Sequence, residues 1–164
     1  MLPHRRIAAV LDHLGITCAH FAAGIASEIL PLIDTVEGRV ASLTLVNPNR
    51  LESGSLASLE YRLTIITGSD GLPAKVVREC APSLPDAQLL CFDDYHTTTW
   101  TDVVRENTDA VVDALVHRDG EDGVTILPAQ EEVVGEIEGV SFHAYGSGQV
   151  LVLLPLLLSP TQWR

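Results

Sequence analysis

Positive charge is what this chain has least of. Ten Lys and Arg residues stand against 22 Asp and Glu, leaving a formal net charge of −12. A surface of that sign repels phosphate backbones and anionic headgroups, so neither nucleic acid nor a membrane surface is expected as a partner. Aromatic residues are scarce at 5%, while Leu, Val, Ile and Ala abound, a mix suited to buried parallel strands and their covering helices. The three cysteines, Cys18, Cys80 and Cys91, are odd in number and far apart. They form neither a CxxC pair nor a metal cluster, and are expected to be small buried hydrophobes in a reducing cytoplasm. His4, His13, His117 and His143 have no metal-binding spacing, so no metal and no cofactor is expected. Gly146-Ser147-Gly148 lacks the helix signal and Lys of a phosphate loop. The longest apolar run, Val150 to Leu158, contains Pro155 and is too short to span a bilayer. The apolar stretch after Arg5 and Arg6 is broken by Asp12 and His13, so no signal peptide is read and a cytoplasmic location is expected.

What remains suits one domain. The chain has 164 residues, 46% of them hydrophobic, enough to fill a core. Ile7, Val10, Leu11 and Leu14 recur at helical spacing, predicting a helix over Arg5–Leu14 that stops at Gly15. Short buried strands are expected at Ile16–Ala22, Val40–Val46, Leu63–Thr67 and Ala87–Phe92. Helices are expected at Gly24–Ile33, Ala74–Ala81 and Thr101–His117, with a shortened polar connection over Arg50–Ser58. Arg118–Gly123 reads as a linker. Alternation around Gly139 suggests a hairpin within Glu136–Tyr145, followed by an apolar strand at Val150–Leu154. Strands alternating with helices indicate an α/β fold, a mostly parallel sheet flanked by helices with right-handed crossovers.

The most informative stretch is Leu63 to Trp100. Leu63-Thr64-Ile65-Ile66-Thr67 empties into Gly68-Ser69-Asp70, and Ala87 to Phe92 empties into Asp93-Asp94-Tyr95-His96. Parallel strands joined by a helix deliver such residues to one edge of the sheet, so Asp70 and His96 are an acid and a base in search of a nucleophile. Each also has a plainer reading. Asp70 could cap the helix after it, and His96 could be an exposed loop histidine. His20, at the end of its strand, could be a ligand or proton carrier, but a hydrogen-bonded core histidine is the commoner case.

From Leu11 to His117 the sequence resembles the C-terminal half of an α/β-hydrolase. The matching pieces are Leu11-Asp12-His13-Leu14-Gly15-Ile16, Arg39 to Pro48, Ile65-Ile66-Thr67-Gly68-Ser69-Asp70, and Tyr95-His96 with Trp100. The family's helical cap usually follows Asn-Pro; only Asn49 to Tyr61 fills that place, so a lid is expected to be missing. Gly135 to Pro155 resembles the opening of the same fold, displaced behind the His block. The resemblance implies a lid-less, incomplete or circularly permuted hydrolase: a core over residues 1–118, a linker over 119–135, and a hairpin and strand over 136–164. That last strand is expected to complete the sheet beside Ile16–Ala22, within one chain or in a strand-swapped homodimer.

The resemblance also assigns roles. Asp70 matches the family's acid and His96 its general base. The nucleophile belongs in G-x-S-x-G at a strand-to-helix turn, and Thr17 to Ser27 contains no such motif. One alignment puts His20 in the nucleophile's place, another Ile25; Cys18 falls within the strand and Ser27 a turn into the helix. The expectation is a degenerate, non-catalytic domain, a pseudoenzyme. It would bind a small molecule or a protein partner, or serve a neighbouring enzyme such as a methyltransferase, since the tail also resembles the linker before one in some fused proteins. The alternative is a small-molecule, ester-type hydrolase using His96 and Asp70 with an unidentified nucleophile.

Overall fold

The computed structural model describes residues 3–24, 31, 33, 37–93, 107, 109–111, 133–137, 139–144 and 150–153. Helix α1 spans Pro3–His13. It ends as its sequence dictates: Gly15 takes φ +67°, a conformation that costs glycine nothing. The Gly15 amide then donates to the Asp12 carbonyl and the Ile16 amide to Leu11 at 2.9 Å, the double closure of a Schellman motif. Leu11 and Ile16 both pack into the core, completing the apolar half of that motif.

Four parallel strands follow: β1 (Ala19–Ala23), β2 (Val40–Val46), β3 (Leu63–Gly68) and β4 (Gln88–Phe92). A single helical turn α2 (Ser53–Leu56), continued by a 3-10 segment over Ala57–Arg62, links β2 to β3, and α3 (Gly71–Cys80) links β3 to β4. An antiparallel hairpin, β5 (Val133–Ile137) and β6 (Val140–Ala144), leads to β7 (Leu151–Leu153). The strand β7 returns to the main sheet and pairs parallel with β1, giving the order β4-β3-β2-β1-β7. Register sets Phe21 beside both Leu43 and Val152. The expected pairing of Val150–Leu154 with the first strand is therefore formed within one chain.

Strand sequences explain the layers. All six residues of β3 are buried, as an interior strand covered on both faces requires. One sheet face carries Phe21, Leu43, Leu45, Leu63 and Ile65 into a core with Leu11, Leu56, Leu59 and Val77. Each such side chain contributes about 1.5–3 kcal/mol when removed from water. The opposite face is more polar, with Ser42, Thr44 and Thr64 buried on it. The hairpin lies against α1, where the His13 and Phe142 ring centroids are 6.5 Å apart.

Several boundaries differ from the sequence-based expectation. The first strand begins at Ala19, not Ile16, because Ile16 is committed to closing α1. The connection after Arg50 is helical, since Leu56 and Leu59 turn inward and are fully buried. The helix α3 starts three residues early, at Gly71, because Pro73 is harmless in a first turn. The hairpin begins at Val133, inside the stretch expected to be linker. Cys18 and Cys91 are exposed rather than buried: one sits in the bend before β1, the other on the edge strand β4. Cys80 alone is partly buried, its Sγ 3.8 Å from the Leu51 carbonyl. Most of the helices expected at Gly24–Ile33 and Thr101–His117, and most of the linker, lie outside the described residues; Pro31, Ile33 and Asp109–Val111 are helical.

Candidate functional site

In a parallel sheet every strand ends on the same edge, and ligands of open α/β sheets bind in the crevice there. The register aligns these ends. Ala23 lies beside Leu45, Val46 beside Ile66 and Gly68 beside Phe92, so the chain leaves the sheet at Gly24, Asn47, Ser69–Asp70 and Asp93. Two backbone bonds fix the edge: the Asn47 amide donates to the Ile66 carbonyl at 2.8 Å, and the Ser69 amide to Phe92 at 3.0 Å.

Asp70 occupies the Ncap position of α3 with extended backbone, φ −129° and ψ 173°. Its side chain makes no capping hydrogen bond and is exposed. It lies two residues beyond β3, at the carboxyl edge of the sheet. Leu72, in the first turn of the same helix, is an exposed apolar neighbour, 59% accessible. His96, the expected base, lies outside the described residues, as do Tyr95 and Trp100; the described stretch that holds β4 ends at Asp93, the first residue after the strand.

His20 is elsewhere. It is the second of five residues in β1, near the strand's amino end. The turn out of β1 is occupied by Gly24, with Ile25 next in sequence. His20 is half-buried between β2 and β7: its amide donates to the Val150 carbonyl at 2.8 Å, and its Nδ1 lies 2.7 Å from Ser42 Oγ. Either Nδ1–H or the hydroxyl donates, according to the tautomer. Cross-strand register explains the pair, because His20 and Ser42 are direct neighbours on one face. Cys18 precedes the strand and faces solvent; Ser27 lies outside the described residues.

Sequence reasoning overlooked Asn47. It is buried and holds φ +45°, the left-handed region. Asn tolerates that region better than other side-chain-bearing residues, and it turns the chain sharply at the end of β2. The signal was present, since Asn47 precedes Pro48 and closes an apolar strand. Among the described residues no group of His, Cys, Asp and Glu is placed to hold a metal ion, and no helix is long and apolar enough to cross a membrane.

No protein-family model matches the sequence, and no curated protein matches it. Among solved structures, a crystal structure described as a predicted CIB-like hydrolase from Thermoplasma acidophilum is similar, with a TM-score of 0.55 and 14% identity. The likeness covers 68% of this chain and 55% of that one, so the chain spans little more than half the neighbour's length. At such identity the likeness concerns the fold: a five-stranded parallel sheet flanked by helices, of α/β-hydrolase type, with a small antiparallel hairpin.

Proposed function

We propose that this α/β-hydrolase-type chain is a non-catalytic domain that binds a small molecule or a protein partner at the carboxyl edge of its sheet, as an accessory to a neighbouring enzyme. The observation that carries the reading is the turn out of β1. Nucleophilic hydrolases place a Ser, Cys or Asp there, exposed on a strained turn. This chain runs Ala23-Gly24-Ile25, without a hydroxyl, thiol or carboxylate. An acid and a base alone lack the atom that forms the covalent intermediate. The hydrogen-bonded Ser42 does not replace it, because it is buried in the third position of β2, away from the crevice.

The edge is nonetheless suited to binding. Asp70, at the Ncap of α3, and Leu72, in its first turn, are both exposed at that edge. One polar and one apolar group on a rigid element are the ordinary components of a ligand site. The identity of the neighbouring enzyme belongs to the same proposal, a methyltransferase being the candidate that the tail's resemblance favours.

The position of Asp70 directly after β3 favours a second reading, in which Asp70 and His96 activate water on a small ester. Turnover of p-nitrophenyl acetate separates the two. The proposal expects background rates from the wild type, unchanged in His96→Ala. Saturable turnover abolished by His96→Ala and by Asp70→Asn would establish the hydrolase instead.

A further inference from the structure

No further inference is drawn: the strongest candidate, the buried Thr67 hydroxyl near the carboxyl end of β3, which has no hydrogen-bond partner among the described residues, belongs to the site already described, and nothing among those residues shows what would reach it.

Discussion

Asn47 shows how one residue shapes the candidate site. Its left-handed backbone, φ +45°, lets the chain turn at the end of β2 while its amide stays bonded to Ile66. Asn47→Gly keeps the left-handed backbone and should cost less than Asn47→Val in urea denaturation. Asn47→Val should lose about 1–3 kcal/mol, because a β-branched side chain is strained there. Gly135 is the second such position, for a different reason. A Cβ added to it would sit 2.5 Å from the tip of the Phe142 ring, which lies across the facing strand. The ring can swing aside only by leaving its place over α1, where it meets His13. Gly135→Ala should cost about 1 kcal/mol by overpacking, read as faster amide exchange confined to the hairpin. At the His20–Ser42 pair, Ser42→Ala removes the partner of a half-buried ring nitrogen and should cost about 0.5–1.5 kcal/mol in the same denaturation experiment. Asn47 left a signal in the sequence, before Pro48 at the end of an apolar strand, but the Gly135–Phe142 contact and the His20–Ser42 pair were not legible, since each depends on which residues the register sets face to face.

At the scale of elements, period and punctuation did carry. The Leu63 to Phe92 unit reads as strand, helix and strand from its β-branched runs, and Val40–Val46 was expected with the bounds it has. Errors arose where an element's end is set by its neighbour. Ile16 looks like the start of a strand but serves the closure of α1, and the polar Arg50–Ser58 stretch hides the inward Leu56 of a helical crossover that continues to Leu59. The strand most exposed to error was β7, three residues long and remote in sequence from its partner. Its apolar composition on both faces was the legible part, because a strand with no polar side must be covered. Removing the tail after Glu132 would uncover the β1 edge and the side of α1 that the hairpin contacts. Expression of that truncation should give insoluble protein; a soluble, folded product would show that β7 and the hairpin are dispensable.

For the whole molecule, the sequence carried the α/β architecture and the position of Asp70 after β3, but not the surroundings of that residue. A crevice is assembled from the ends of several strands, and its depth depends on connections whose local sequence has no strong period. The fold puts Asp70 two residues beyond β3, at the carboxyl edge of the sheet, and Gly24 at the turn out of β1. The central claim, that this framework has lost its nucleophile, is tested most directly by intact-mass measurement after incubation with an alkyl fluorophosphonate. The account predicts an unmodified mass under conditions that label a serine esterase to completion. A stoichiometric adduct on one serine, with Ser27 the first to examine, accompanied by loss of an ester-hydrolysing activity, would contradict it.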